Sequence, residues 1–283
     1  MLQTKRWALM LAGCTVALGA ALIWLFELRF ESGEFYPPYS SLRADPLGCR
    51  ALYESLRELD HLHVRRNLSQ QLSLPQPRGQ TLCRFGVEPS RLWVQPLQAQ
   101  ALDSFVRAGG RLVVTFSPSV WATQTTIGTN PRRRAEAKPA RRLAINLAEK
   151  WGLDLSHAPL PEGAGPVSAS VHQAVHDLPS SVSWYSTLVF TNLDAAWKTI
   201  YQRDQHPVLI ERTLGNGTIV LATDSYFVSN EALLRERHPT LLAWVIGVAN
   251  AVCFDETHHG IAERPGIATL LRKYRLHGPV AVF

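Results

Sequence analysis

Residues 251–260, Ala-Val-Cys-Phe-Asp-Glu-Thr-His-His-Gly, bring two carboxylates and two imidazoles within five positions. An apolar run that reads as a buried strand passes straight into Asp255, Glu256, Thr257, His258 and His259, then stops at Gly260. In open α/β sheets ligands bind beyond the carboxyl ends of the strands, so acids and imidazoles at such an end mark a candidate site. Three roles suit these residue types. Asp255, Glu256 and His258 could exchange protons as the acid–base set of a hydrolase. The same groups could line a cleft for a ligand or partner. They could also be structural, with Asp255 bonding the backbone of neighbouring loops and an imidazole bridging to a carboxylate, because buried polar groups are normally paired. Pinning and cleft binding stand level as readings, both ahead of catalysis.

Strand geometry limits what these groups reach together. If the backbone stays extended, Glu256 and His258 share one side, while Asp255, Thr257 and His259 share the other. Adjacent histidines then meet at one metal ion only through a turn at Gly260, with a third ligand such as Asp224. No metal is expected. A second group lies at the end of the predicted strand Thr218–Thr223, where Asp224 and Ser225 precede a short helix from Asn230 to Arg237. As the other wall of one cleft, they complete a ligand-binding set of Asp224, Ser225, Asn230, Glu256, His258 and His259. The alternative for Asp224 and Ser225 is a turn and a helix cap. Ser117, just after the predicted strand Arg111–Phe116, is the hydroxyl open to a hydrolase as nucleophile.

The elements that would position these residues alternate between strand and helix. Asp45-Pro46 predicts a helix start, with Leu47, Ala51, Leu52, Leu56 and Leu59 on its apolar face. Strands are predicted at His61–Arg66 and Thr81–Val87. A helix from Pro96 to the Gly109-Gly110 stop leads into Arg111–Phe116. This alternation predicts a mostly parallel α/β sheet. A helix is expected from about Ala140 to Trp151, an irregular insertion over 158–183, and one strand over Ser183–Thr191. Strands near Trp197–Gln202, His206–Thr213 and Thr218–Thr223 form an antiparallel addition, with Asn216-Gly217 as a type I′ hairpin signal. The helix opened by Pro239 is almost wholly apolar and is expected to be deeply buried.

The chain has 283 residues and a net charge of +6. Trp7–Phe26 is an uncharged apolar run preceded by Lys5 and Arg6, long enough to span a bilayer, with its basic flank in the cytoplasm. A cleaved signal peptide is the rival, and Leu11-Ala12-Gly13-Cys14 resembles a lipoprotein cleavage box. The expected organisation is a cytoplasmic terminus (1–6), a single transmembrane anchor (7–26), a linker (27–44), an extracytoplasmic α/β domain (45–265) and a basic and apolar tail (266–283). That places the domain in the periplasm, on the bacterial inner membrane. Arg132, Arg133, Arg134, Lys138, Arg141 and Arg142 read as solvated surface, and an exported domain does not meet nucleic acid. Cys49 and Cys253 sit among apolar neighbours and read as small core residues. There is no phosphate-binding or dinucleotide-binding glycine loop and no metalloprotease helix, so no cofactor is expected.

Several segments in order carry a resemblance. They are Tyr39-Ser40-Ser41 with Gly48-Cys49-Arg50-Ala51-Leu52, the helix ending in Gly109-Gly110-Arg111-Leu112-Val113-Val114, Leu214-Gly215-Asn216-Gly217 leading to Asp224, Ser229–Leu234, and Phe254–Gly260. With these the chain resembles the bacterial domain-of-unknown-function 4350 family, within the group of class I glutamine-amidotransferase-like folds. The resemblance implies a flavodoxin-like, amidotransferase-like sheet on a membrane-anchored extracytoplasmic domain. It also implies an envelope protein partner linked to a MoxR-type ATPase. It implies no activity. Amidotransferases set a nucleophilic cysteine on the strand-to-helix turn. Here Ser117-Pro118-Ser119 follows the corresponding strand, with no cysteine, and Pro118 lacks the N–H an oxyanion hole would use. The expected role is therefore non-enzymatic binding. The alternatives are the hydrolase set and a structural scaffold.

Overall fold

A computed structural model describes residues 13–15, 17–21, 36–69, 76–118, 144–161, 165–172 and 177–261. Most of the expected anchor 7–26, the linker up to residue 35, the basic run Arg132–Arg142 and the tail 266–283 lie outside them. Among the described residues, no helix is long and apolar enough to cross a membrane.

In chain order the elements are α1 (Arg50–Arg57), β1 (His63–Asn67), β2 (Gln80–Val87), β3 (Trp93–Val94), α2 (Pro96–Arg107), β4 (Arg111–Phe116), β5 (Ile145–Asn146), α3 (Leu147–Lys150), β6 (Asp154–His157), β7 (Val167–Val171), β8 (Ser181–Trp184), β9 (Leu188–Thr191), β10 (Trp197–Arg203), β11 (His206–Leu214), β12 (Gly217–Ala222), α4 (Asn230–Arg235), α5 (Pro239–Ile246) and β13 (Ala251–Asp255). Nine strands form one sheet in the order β1-β13-β2-β4-β12-β11-β10-β7-β8. The expectation of a mostly parallel, flavodoxin-like or amidotransferase-like sheet is overturned by its pairings. Strands β1, β13, β2, β4 and β12 run parallel, but every pairing from β12 to β8 is antiparallel. Two further antiparallel pairs, β3–β5 and β6–β9, make antiparallel pairing the majority. The fold is mixed α/β, and its antiparallel half is a principal part.

The sheet has a packed core on each face. Successive residues alternate between them: Val113 with Cys83, Phe85, Phe254 and α1 on one face, Leu112 and Val114 with Leu82, Cys253 and α2 on the other. This period of two is what the β-branched, apolar runs of β2, β4 and β13 dictate when both faces are covered. All three cysteines of the domain, Cys49, Cys83 and Cys253, are free and buried, as core residues should be.

Several local expectations are corrected. Asp45-Pro46 does not open the helix: Asp45 bonds the Leu47 amide and the Arg43 guanidinium, and α1 begins at Arg50. Ile145-Asn146 is strand, and Asn146 caps α3. The 158–183 stretch contains β7, whose Val-Ser-Ala-Ser-Val alternation pairs with both β8 and β10. Ser183–Thr191 is two strands in different sheets, broken at Tyr185–Thr187. In the β11–β12 turn, only Gly215 has positive φ, at 63°, the pattern of type II′ instead of type I′. Finally, α5 buries Leu241, Val245 and Ile246 against the core but leaves its other side at the surface.

Candidate functional site

Parallel strands β13, β2, β4 and β12 end on one edge of the sheet, and the polar groups singled out by sequence gather there. Asp255, the last residue of β13, is 1% exposed. Its Oδ2 accepts from Arg84 Nε at 2.8 Å and pairs with Nη2 at 2.7 Å. Its Oδ1 accepts from Asn67 Nδ2 at 2.9 Å and Thr257 Oγ1 at 2.7 Å. Burial alone would raise this carboxyl, but Arg84, Thr257 and Asn67 outweigh it and hold the pKa below the usual range. A carboxylate held ionised by four donors has no free lone pair for proton exchange.

Glu256 turns to the opposite face. Its Oε2 accepts from Ser40 Oγ at 2.7 Å, and its Oε1 from the Ser41 amide at 2.8 Å. Arg66 secures the same loop, donating to Ser41 Oγ and to the Ser41 carbonyl, each at 2.8 Å. The Arg66 guanidinium also lies 3.5 Å from the centroid of the Tyr53 ring, a cation–π contact. Glu256 thus ties the end of β13 to the segment that enters the domain.

The chain does not stay extended past Asp255. Thr257–His259 form a single 3-10 turn closed by Gly260 at φ 80°. The two imidazoles therefore lie side by side, with ring centroids 4.0 Å apart and planes tilted by 38°, instead of pointing to opposite faces. His258 Nε2–H donates to the Phe85 carbonyl at 2.7 Å. Burial, with His259 and Arg84 adding, pushes its pKa down to about 3, so the ring is neutral. Burial lowers His259 as well. His258 Nδ1 and His259 Nε2 are buried with no hydrogen-bond partner among the described residues.

Asp224 follows β12 and has no exposed surface. Its oxygens accept the amides of Tyr185, Ser186 (2.9 Å) and Tyr226 (2.7 Å). Among the described residues no cation pairs with it, and burial raises its pKa to about 6 against the opposing pull of those backbone donors. The Ser225 hydroxyl donates to the Phe116 carbonyl at 2.8 Å and accepts from the Gly86 amide at 2.9 Å, so it cross-links β4 and β2. Asn230 bonds the Asp45 carbonyl at 2.6 Å and the Ala51 amide at 2.8 Å, which docks α4 on the start of α1.

The predicted wall formed by Asp224 with Glu256 is not direct, because no hydrogen bond links the two. Residues 39–41 connect them: Tyr39 feels the Asp224 charge and Ser40 bonds Glu256. Tyr39 is 1% exposed, at φ 65°, with its hydroxyl unpartnered. It packs over Gly86, where an added Cβ would lie 2.8 Å from Tyr39 Cβ and φ is +67°. We expect Gly86→Ala to cost at least about 1–2 kcal/mol from the left-handed backbone alone, read as a lower urea midpoint. An unchanged midpoint would show that Tyr39 does not seat there.

Ser117 sits at the end of β4, its amide on the Val87 carbonyl. Its hydroxyl makes no hydrogen bond to His258, Asp255 or Glu256, so the hydrolase set is not assembled as a nucleophile–base pair. Among the described residues, no three His, Cys, Asp or Glu side chains could hold a metal ion. Sequence reasoning missed Arg84, Asn67, Ser41 and Arg66. Only Arg84 carried a signal: a lone charge in the apolar run Leu82-Cys83-Arg84-Phe85 demands a buried counter-charge.

No curated protein matches the chain significantly. Solved structures with similarity include a β-galactosidase from Bacillus circulans sp. alkalophilus, at 20% identity and TM-score 0.35, over 60% of this chain and 23% of that one. Another is an exo-β-1,4-mannosidase from Opitutaceae bacterium strain TAV5, at 12% identity and TM-score 0.34, over 62% of this chain and 26% of that one. A cytoplasmic protein from Salmonella typhimurium LT2 matches at 15% identity and TM-score 0.39, over 76% of this chain and 88% of that one. The chain spans about a quarter of the two glycosidases' length. A family model matches residues 39–246, which run from the Tyr39 loop through α5, and the chain belongs to the family described as domain of unknown function (DUF4350).

Proposed function

We propose that the chain is a non-enzymatic binding domain, tethered by residues 7–26 to the outer face of a bacterial inner membrane, where it engages a protein of an envelope assembly. The observation that carries this reading is the commitment of the edge carboxylates. Asp255 is consumed by Arg84, Asn67 and Thr257. Glu256 is consumed by Ser40 and Ser41, and Asp224 by three backbone amides. A general acid or base must reach a substrate proton, and these groups hold strand ends and loops together.

The test has two arms. With ester, amide and glycoside reporter substrates, the expected outcome is no turnover that depends on Asp255, Glu256 or His258. A rate abolished by His258→Ala, with the circular dichroism spectrum kept, contradicts a non-enzymatic role. For the tether, alkaline phosphatase fused after Phe26 is expected to be active, and an inactive fusion contradicts the placement.

A further inference from the structure

We infer that the groove between α1 and α5 is the docking surface for an amphipathic helix of a partner protein, one with leucine-like side chains on one face and carboxylates beside them. This rests on the binding-domain reading above and gives it a place and a chemistry.

The groove has a volume of about 620 Å³ and reaches His61, Leu62, Gly247 and Ala249, which lead into β1 and β13. Its walls are Leu52, Leu56 and Leu59 on the α1 side and Leu242, Ala243 and Ile246 on the α5 side. Leu59, one of the lining residues, is 42% exposed. An open groove lined mostly by apolar side chains marks an interaction site.

Three features choose the occupant. The walls are two helices of eight residues each, about 12 Å at 1.5 Å per residue, which suits two to three turns of a third helix with anchors at i, i+3, i+4 and i+7. The polar part of the lining is Ser55, His61, Arg237 and His238, with no carboxylate among the lining residues. His238 is paired with Glu236 at 3.2 Å. Arg237, held at φ 51°, makes no ion pair among the described residues and is the cation a partner carboxylate would meet.

The test is fluorescence anisotropy on the full chain with two labelled helical peptides that share the same leucine face, one flanked by glutamates and one by lysines. The glutamate peptide is expected to bind at least about tenfold more tightly, a difference that shrinks in high salt. Leu59→Glu, at an exposed position, is expected to weaken it more than about tenfold, and Arg237→Glu to reverse the preference toward the lysine peptide. Equal binding of the two peptides overturns the inference, as does binding of neither. Displacement of the glutamate peptide by oleate, with unchanged affinity in Arg237→Glu, assigns the groove to lipid instead. Sedimentation showing a dimer that Leu59→Glu dissociates assigns it to self-association. These outcomes leave the non-enzymatic reading in place, because only turnover that depends on Asp255, Glu256 or His258 removes that.

Discussion

Asp255→Ala is expected to destabilise the protein by about 3–5 kcal/mol, the cost of leaving a buried guanidinium without its counter-charge. Arg84 is 5% exposed and its Nε and Nη2 both meet Asp255 Oδ2. Removal of the carboxylate also orphans Asn67 Nδ2 and the Thr257 hydroxyl. Arg84→Met is expected to cost a comparable amount, since Asp255 then keeps its charge in the interior. Arg84→Met with Asp255→Ala should cost much less than the sum, because the mutual dependence vanishes when both charges go. Urea unfolding of the four proteins measures this cycle. Single variants within about 1 kcal/mol of wild type would show that the pair is not what holds β13.

The second large effect is a pH dependence of unusual sign. Asp224 has its carboxyl raised to about 6 in the folded chain, against about 3.9 when unfolded. The native state therefore holds the proton more tightly. This group's contribution to stability is largest below about pH 4 and is lost as pH rises to about 6, by about 3 kcal/mol in all. Asp255 acts oppositely, because its lowered carboxyl gives stability that is lost on acidification below about pH 4. The stability of wild type minus that of Asp224→Asn isolates the first effect, since Asp255 contributes equally to both. That difference is expected to fall by about 3 kcal/mol between pH 4 and 7. A difference independent of pH would mean that Asp224 is not buried as a lone acid.

Much of this site was legible in the sequence because it is local. The run from Ala251 into Asp255 announced a strand end, and the alternation of faces correctly separated Asp255 from Glu256. The partners were not legible. Arg84, Asn67 and Ser41 reach the two acids across separations of 171, 188 and 215 residues, and nothing in one sequence fixes such pairings. The extended backbone would have separated the histidines; the turn at Gly260, raised in the sequence only as a condition for a metal, is what brings their rings together.

Long-range bonds also explain the larger error in the sheet. Ser183–Thr191 has the composition of one continuous strand, but Asp224 captures the amides of Tyr185 and Ser186 and the chain changes sheets there. The Val167–Val171 strand was hidden by the glycines and prolines around it, although its own alternation is regular. An apolar α5 looked like a fully buried helix. Its outer side instead faces the α1 groove, a case where hydrophobicity all round marks a core on one side and an open surface on the other.

The most direct test of the edge cluster as a structural lock is amide hydrogen exchange in Glu256→Ala. With the carboxylate gone, the Ser41 amide loses its acceptor and Ser40 its anchor. Exchange is expected to speed by at least about tenfold across residues 39–43, while β2, β4 and β12 keep their protection. Wild-type protection of Ser41 in the variant would contradict the lock.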